Sequence, residues 1–315
     1  MFNARSTAEQ VTEGLDLRGK CAIVTGASAG IGQETARVLA LRGCHVTMAC
    51  RDLRKGGSVR DRLIADSAGR IGADALTLMP LDLANLQSVR ELAAEYLDGG
   101  RPIHLLINNA GIMIPMRRET DDGFEAHFGV NHLGHFLLTV LLLDRIRQSA
   151  PARIINVASD ALHFATLTPE FEDLNWEKRK FSGWRSYGDS KLMNHLFANE
   201  LSRRLEGTGA VAHALHPGII LTELARDQPW FMKLLGLLAL PIAKNVARGA
   251  ATTLYAATAP ELAAKGGGYF SNCAATRPGK LAGDAHVEAR LWAISEELTG
   301  ISTGSSRTST EKPRR

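Results

Sequence analysis

Two residues one helical turn apart could perform acid–base chemistry. Tyr187 and Lys191 form a Y-x-x-x-K pair in the stretch YGDSK, which leads into a segment with helical periodicity, LMNHLFANELSRRL. Residues four positions apart lie on the same face of a helix, so the two side chains are neighbours. An unperturbed tyrosine has a pKa of about 10, and a nearby ammonium lowers that pKa because it favours the phenolate. The pair predicts a tyrosine that exchanges a proton.

A serine follows an apolar stretch upstream of this pair. Ser159 comes directly after RIINVA (153–158), which is typical of a buried strand, and so it lies at the edge where open α/β sheets bind ligands. Its hydroxyl could donate to a substrate carbonyl while Tyr187 supplies or removes the alcohol proton and a nicotinamide handles the hydride. The alternative for Ser159 is a helix cap or a turn, the commoner role of a serine after a strand.

Seven short apolar runs predict the strands that must position these side chains. They are CAIVT (21–25), HVTMAC (45–50), LTLMPL (76–81), IHLLIN (103–108), RIINVA (153–158), VAHALH (211–216) and GGYFSN (267–272). Segments with helical spacing lie between most of them. Apolar strands that alternate with helices indicate a parallel sheet covered on both faces. We therefore predict the α/β class, with one Rossmann-type, doubly wound domain of about seven strands.

A glycine-rich stretch, TGASAGIG (25–32), lies between the first predicted strand and a helical segment. In this context a glycine-rich turn presents backbone N–H groups and a helix N-terminus to a pyrophosphate. Its glycines at 26, 30 and 32 depart from the G-x-G-x-x-G spacing. The stretch alone therefore leaves open a tight turn that uses glycine only for its backbone angles.

The end of the second strand favours NADP(H) over NAD(H). An acid at this position binds the adenosine ribose of NAD, whereas an arginine accommodates the 2′-phosphate of NADP. Cys50 stands where the carboxylate would be, and Arg51 follows with a guanidinium that can pair with phosphate. The alternatives are that Asp52 is the ribose acid or that Arg51 is a solvated strand end.

Together these motifs resemble the short-chain dehydrogenase/reductase family, in which TG-x-x-x-G-x-G is the normal form of the loop. From about residue 18 to 298 the family order is met by TGASAGIG, Asp82-Leu83, Asn108-Asn109-Ala110-Gly111, Asn131, Ser159, Tyr187 with Lys191, and Pro217-Gly218 with Thr222. Phrases such as VNHLGHFLLTVLL and GGGYFSNC are similar to the retinol dehydrogenase group and to the oxidoreductase part of WW-domain-containing oxidoreductase. The resemblance implies an oxidoreductase that interconverts a carbonyl and an alcohol.

The resemblance also implies a role for each matching position. In catalysis, Tyr187 would be the acid–base group, Ser159 would orient the carbonyl, Lys191 would tune Tyr187 and hold the ribose, and Asn131 would fix a water in a proton relay. The cofactor would be bound at the pyrophosphate by Thr25, Gly26, Ser28, Gly30, Ile31 and Gly32, at the adenosine by Arg51, Asp82 and Leu83, along the cleft by Asn109, Ala110 and Gly111, and at the nicotinamide by Pro217, Gly218 and Thr222. Asn131 could instead brace a helix, and Pro217-Gly218 could be only a turn.

An apolar segment after Thr222 carries the substrate prediction. Residues 229–243 hold one charge, Lys233, and are too few to span a bilayer. We predict that 223–245 forms a lid over a pocket for a lipophilic carbonyl or alcohol, such as a retinoid, steroid, terpenoid or long-chain aldehyde. The same side chains could instead pack on the protein, on a second subunit or on a membrane surface. The long interval 163–186 predicts a surface excursion beside the substrate cleft.

Composition argues against several other classes of protein. The 315 residues are 45% hydrophobic with a net charge of +4, and their charges form no basic block before the extreme C-terminus, which disfavours nucleic-acid binding. The four cysteines lack a C-x-x-C pair and predict reduced thiols, and the ten histidines lack partners at metal-ligand spacing. We expect no transmembrane anchor and a cytoplasmic protein.

The remaining predictions concern organisation and rival functions. We place the domain at 18–301, between an N-terminal lead (1–17) and a low-complexity tail (302–315). The apolar stretch 135–148 is either a core helix or a subunit contact, which suggests a homo-oligomer. Two alternatives to carbonyl chemistry remain: a C=C reductase of the protochlorophyllide reductase type, and a non-catalytic NADP(H)-sensing protein with the same fold.

Overall fold

The computed structural model of the protein describes residues 2–218, 244–277 and 279–303. At its centre is an eight-stranded sheet in the order β3-β2-β1-β4-β5-β6-β7-β8. The strands are β1 (Cys21–Thr25), β2 (His45–Cys50), β3 (Leu76–Pro80), β4 (Leu105–Asn108), β5 (Ala152–Val157), β6 (Ala210–His216), β7 (Gly268–Ser271) and β8 (Ala274–Ala275). All pairs are parallel except β7 with β8. The predicted α/β fold is confirmed, and only the two-residue β8, which is too short to show a sequence pattern, is new.

Eight α-helices in the described ranges connect and cover these strands. They are α1 (Ala8–Val11), α2 (Gly30–Leu41), α3 (Leu53–Asp66), α4 (Leu86–Asp98), α5 (Gly134–Gln148), α6 (Gly183–Arg204), α7 (Val246–Thr258) and α8 (Ala285–Thr299). Successive strand residues point to opposite faces of a sheet. In β1, Val24 accordingly joins a core with residues of α2 and α7, whereas Ile23 joins a second core with residues of α4 and α5. Helices therefore cover both faces of the sheet.

The strand order reverses at β1, whose neighbours are β2 on one side and β4 on the other. In open α/β sheets, such a reversal opens a crevice at the carboxyl ends of the strands, where ligands bind. Two short irregular helices flank this edge: a π-helical turn (His127–Leu133) that leads into α5, and a 3₁₀ helix (Asp160–Phe164) that follows β5. These elements position the predicted site residues.

The predicted segments outside the sheet have mixed outcomes. Helix α5 buries residues on all its sides, including Phe136, Leu138 and Leu142, which supports the core interpretation of this stretch. The lead contains α1, which is closed by a capping box between Thr7 and Gln10. Most of the predicted lid (223–245) and of the predicted tail (302–315) lies outside the described residues. The four cysteines are free thiols, and no helix in the three described ranges is long and apolar enough to cross a membrane.

Candidate active site

Three of the predicted catalytic side chains lie together at the carboxyl end of β5. Helix α6 carries Tyr187 and Lys191 on one face, and Ser159 follows β5 by two residues. The side chain of Ser159 lies near the Tyr187 hydroxyl and favours its ionised form. The Lys191 ammonium lies 5.5 Å from the centre of the Tyr187 ring. The arrangement can therefore offer two hydroxyl groups to one oxygen atom of a ligand.

The electrostatics of this group differ from the sequence prediction. Desolvation raises the pKa of Tyr187 to about 12, and the nearby Ser159 side chain opposes that rise without cancelling it. Burial lowers the pKa of Lys191 to about 8. The expected lowering of the Tyr187 pKa is therefore wrong for the protein alone, because the cost of removing the phenolate from water sets the direction of the shift.

Ser159 has the helix-cap role that the sequence offered as an alternative, and its orienting of a substrate carbonyl stays a prediction. Its Oγ accepts a hydrogen bond from the backbone N–H of Ala161 at 3.2 Å and so caps the 3₁₀ helix. The same hydroxyl contacts Tyr187. A hydroxyl oxygen has two lone pairs and one proton, so it can accept from the backbone and still donate to a ligand. The cap fixes the rotamer in which the serine faces the tyrosine.

Asn131 lies in the π-helical turn and braces the loop after β4. Its Oδ1 accepts from the N–H of Ile112 at 2.8 Å, and its Nδ2 donates to Ile112 O at 3.1 Å and to Ser190 Oγ at 3.0 Å. A Cβ on Gly111 would lie 3.2 Å from Asn131 Oδ1 and 3.3 Å from Lys191 Nζ. Asn131 thus lies beside the lysine across Gly111, and the bracing alternative also describes its contacts. Its part in a proton relay stays a prediction.

The glycine-rich stretch forms an open turn against the N-terminus of α2. Gly26 and Gly30 have positive φ angles of 67° and 53°, which L-residues with a side chain rarely adopt. A Cβ on Gly32 would collide with the Asn109 side chain and with the carbonyl of Gly26. Ala29, the N-cap of α2, has no side chain that occupies the first N–H groups of this helix. These features suit a pyrophosphate, which binds to uncapped helix N-termini.

Thr25 links the ends of β1 and β4 beneath this turn. Its Oγ1 accepts from the N–H groups of Asn109 and Ala110, both at 2.9 Å, and Asn109 Nδ2 returns a bond to Thr25 O at 2.8 Å. His135, which the sequence did not single out, lies 2.9 Å from Thr25 Oγ1 through Nε2 and 3.1 Å from Asn131 O through Nδ1. Burial lowers the pKa of His135 to about 4, so the ring is neutral and joins the cofactor turn to the π-helical turn.

Comparisons with known proteins agree with this geometry. A family model described as short chain dehydrogenase matches residues 20–168. Retinol dehydrogenase 12 of Mus musculus is 44% identical over 290 residues, which are 92% of this chain and 89% of that protein. The chain belongs to the short-chain dehydrogenase/reductase family. The WW domain-containing oxidoreductase of Gallus gallus is 39% identical over 302 residues, covering 94% of this chain and 72% of that protein.

Solved structures show the same family fold. A protein of uncharacterised function from Mycobacterium paratuberculosis superposes with a TM-score of 0.72 at 36% identity, covering 92% of this chain and 97% of that one. The RhlG/NADP active-site complex of Pseudomonas aeruginosa has a TM-score of 0.63 at 25% identity, covering 86% and 98%. This short-chain dehydrogenase/reductase is thus an oxidoreductase with a fold that binds a nicotinamide cofactor.

Asp52 and Arg51, on which the choice between NADP(H) and NAD(H) depends, lie at the adenosine end of the family's cofactor cleft. The Asp52 carboxylate accepts from the N–H of Lys55 at 3.0 Å as the N-cap of α3. Cys50 is buried, and burial raises the pKa of its thiol. Arg51 is exposed at the strand end. Across the cleft, Asp82 Oδ1 accepts from Ala84 N–H at 2.9 Å and shapes the turn that contains buried Leu83.

At the nicotinamide end, the described chain stops within the predicted motif. Pro217 is buried after β6, and Gly218 has a φ of 102° that favours glycine. A Cβ on Gly218 would lie 2.8 Å from Lys244 Cδ, so Lys244 approaches the motif closely. Thr222 lies outside the described residues. The role of the Pro217-Gly218 turn in nicotinamide binding stays a prediction.

An exposed aromatic pair extends outward from Tyr187. The Trp184 ring stacks on Tyr187, with centroids 6.5 Å apart, and on Phe164, with centroids 6.3 Å apart. Trp184 is 48% exposed and Phe164 is 62% exposed, and Met116 in the loop after β4 is 65% exposed. Both aromatic residues come from the interval 163–186 that was predicted to lie beside the substrate cleft. Their stacking was not predictable, because it depends on how the 3₁₀ helix meets α6.

Proposed function

We propose that the protein is an NADP(H)-dependent oxidoreductase that interconverts a carbonyl and an alcohol on a lipophilic substrate, such as a retinoid, steroid, terpenoid or long-chain aldehyde. The observation that carries this proposal is the convergence of Ser159, Tyr187 and the buried ammonium of Lys191 at the carboxyl end of β5. Two hydroxyls that converge at the ligand-binding edge of the sheet suit a substrate oxygen that changes between carbonyl and alcohol. Cytoplasmic location and homo-oligomeric assembly remain predictions.

Each catalytic residue has a defined task in this proposal. Ser159 donates a hydrogen bond to the substrate oxygen, and Tyr187 gives that oxygen a proton during reduction or removes it during oxidation. When bound, the nicotinamide supplies or accepts the hydride at the carbon atom. Lys191 places a positive charge beside the phenol, and Asn131 holds the neighbouring loop. Gly26, Gly30 and Gly32 leave room for the pyrophosphate.

The raised pKa of Tyr187 suggests a preferred direction of reaction. With a pKa of about 12, the phenol keeps its proton at neutral pH and is ready to protonate a carbonyl oxygen. Oxidation of an alcohol requires the phenolate, which becomes more populated as pH rises toward that value. We infer that the form of Tyr187 present at neutral pH suits carbonyl reduction and that rising pH populates the form that alcohol oxidation requires.

The preference for NADP(H) rests on charge at the end of β2. The carboxylate nearest that end, Asp52, is engaged as a helix cap, while the guanidinium of Arg51 is exposed. An arginine at this position accommodates the 2′-phosphate of NADP through a charge-assisted contact. The preference for lipophilic substrates rests on two exposed rings, Trp184, which stacks on Tyr187, and Phe164, which stacks on Trp184.

A turnover assay tests this proposal. The purified protein is offered lipophilic aldehydes and ketones with NADPH or NADH, and Tyr187→Phe is compared with Tyr255→Phe, which removes a hydroxyl bonded to Glu261 far from the site. We expect turnover with NADPH, a loss of at least about a hundredfold in Tyr187→Phe, and unchanged activity in Tyr255→Phe. A folded Tyr187→Phe variant with full turnover would remove the mechanism, and NADPH binding without turnover of any carbonyl would favour the sensor.

The cofactor preference has its own test. In Arg51→Gln, the kcat/KM with NADPH is expected to fall by about tenfold or more, because one charge-assisted contact with the 2′-phosphate is lost. The value with NADH should remain unchanged, since NADH lacks that phosphate. An equal fall with both cofactors would show that Arg51 acts on the fold and not on the phosphate.

A further inference from the structure

A buried carboxylate and imidazole lie behind Tyr187 and have no part in the mechanism above. Glu125 and His127 have side chains that are 1% and 0% exposed, and Glu125 Oε1 lies 2.9 Å from His127 Nδ1. Burial alone would raise the pKa of Glu125, but its close contact with the His127 Nδ1–H and its hydrogen bonds from backbone N–H groups lower it overall. A charge kept in such a place requires compensating contacts, and an isolated one would be costly.

The hydrogen bonds of His127 define which nitrogen carries its proton. Nε2 lies 2.9 Å from the backbone N–H of Ile114 and accepts from it, so this nitrogen has no proton. The proton is therefore on Nδ1, which faces Ser186 Oγ at 3.0 Å and Glu125 Oε1 at 2.9 Å. A carboxylate beside the Nδ1 proton stabilises this tautomer. One ring thus fastens the loop after β4 to α6, at the residue that precedes Tyr187.

His127 also contacts the Tyr187 ring directly. The two rings meet edge to face, with centroids 6.0 Å apart and planes at 70°. On another side the imidazole stacks on Phe181, with centroids 6.4 Å apart and planes at 6°. Tyr187 is therefore held through its ring by His127 and through its backbone by the bond between His127 and Ser186. Its hydroxyl lies near Ser159.

We propose that His127, oriented by Glu125, is a positioning residue that keeps the Tyr187 hydroxyl within reach of Ser159 and of the substrate oxygen. The inference rests on the proposed function, because it assigns a supporting role to residues around the same tyrosine. Misplacement of a reacting group by about 1 Å can cost on the order of a hundredfold in rate. Loss of this support should therefore lower kcat more than it weakens cofactor binding.

A matched pair of serines separates positioning from plain stability. Ser186→Ala removes the hydroxyl partner of His127, and Ser295→Ala removes the hydroxyl that lies 2.9 Å from Nε2 of His132 in the same π-helical turn. Both serines are buried on α-helices. We expect both variants to lose similar thermal stability, but kcat to fall by about tenfold in Ser186→Ala alone, with an unchanged KM for the cofactor. Equal kcat values in the two variants would overturn the proposal.

Two substitutions of Glu125 give a second measurement that does not depend on the serines. Glu125→Gln keeps a polar group of the same size beside Nδ1, whereas Glu125→Ala removes it. We expect Glu125→Gln to retain kcat within about threefold and Glu125→Ala to lose on the order of a hundredfold. Equal losses in both would contradict orientation by Glu125. If the wild type itself turns over no carbonyl, the proposed function fails and this inference falls with it, whereas an active wild type with fully active variants removes this inference alone.

Discussion

The Lys191 ammonium donates a hydrogen bond to the backbone carbonyl of Val157 at 2.9 Å, and the lysine side chain is almost entirely buried. Val157 is the last residue of β5, two positions before Ser159. The bond therefore fastens the helix that carries Tyr187 to the strand that leads to Ser159. Because one carbonyl gives little compensation for a buried charge, burial lowers the pKa of this lysine to about 8.

Replacement of Lys191 by Met should stabilise the protein at pH 7. The folded pKa of about 8 lies below the ordinary 10.5, so the charged ammonium costs the folded protein about 3 kcal/mol. Methionine removes this cost, but loss of the hydrogen bond to Val157 offsets part of the gain. We expect a gain of about 1 to 3 kcal/mol at pH 7 by urea denaturation. From pH 8 to 10.5 the wild type recovers this difference, because only its unfolded chain still binds the proton. If the difference in free energy of unfolding between Lys191→Met and the wild type does not change with pH, this account is refuted.

Buried histidines should make the fold sensitive to acid. Burial lowers the pKa of His135, His195 and His213 to about 4 and that of His132 to about 3. Each contributes stability that is present above the unfolded pKa of 6.5 and is lost as pH falls, because the unfolded chain then binds protons that the folded chain excludes.

The free energy of unfolding, measured by urea denaturation, should therefore fall between pH 6.5 and 4 by about 1.4 kcal/mol per pH unit for each proton. His195→Asn should reduce the slope of the free energy of unfolding against pH by the contribution of one proton. The same change at exposed His286 should leave the slope unchanged. Equal slopes in wild type and His195→Asn would show that His195 does not contribute.

A methyl group at Gly32 should weaken cofactor binding. The added Cβ would collide with Asn109 and with the carbonyl of Gly26, so the turn that is proposed to bind the pyrophosphate must open. We expect Gly32→Ala to raise the Kd for NADPH by about tenfold or more, as measured by fluorescence titration. Gly72→Ala is the matched control, because nothing lies within 4 Å of its Cβ. The same Kd in both variants would contradict the close approach at Gly32.

Truncation of Trp184 should act on substrate and not on cofactor. Trp184→Ala removes an exposed ring that stacks between Phe164 and Tyr187, and an apolar substrate loses the area that this ring offers. We expect KM for long apolar aldehydes to rise by about tenfold and KM for short ones to change little. Phe2→Ala, which truncates an exposed aromatic residue packed on Tyr255, is the control. A rise of KM that is independent of substrate length would argue against an apolar contact.

The sequence predicted the sheet and the approach of Ser159 to Tyr187 because both follow from short-range patterns. Runs of apolar residues mark strands, and a residue that follows a parallel strand must lie at the carboxyl edge. The hydrogen bonds of His127 and His135 could not be predicted, since they reach residues that are distant in the chain, such as Ser186 and Thr25. The π-helical turn has no hydrophobic period of its own. The predicted direction of the Tyr187 pKa shift was wrong, because the sequence shows the spacing of Tyr187 and Lys191 but not their burial.

The short chain from Thr25 through His135 to Asn131 restricts how this protein can be engineered. A neutral imidazole joins Thr25, beneath the glycine-rich turn, to Asn131 in the π-helical turn, with one ring nitrogen bonded to each. A cofactor loop grafted from another oxidoreductase would keep its phosphate contacts only if its threonine met a histidine in the same tautomer. Exchange of residues 25–32 should therefore include position 135. The loop and this side chain must be replaced together, although they lie more than a hundred residues apart in the sequence.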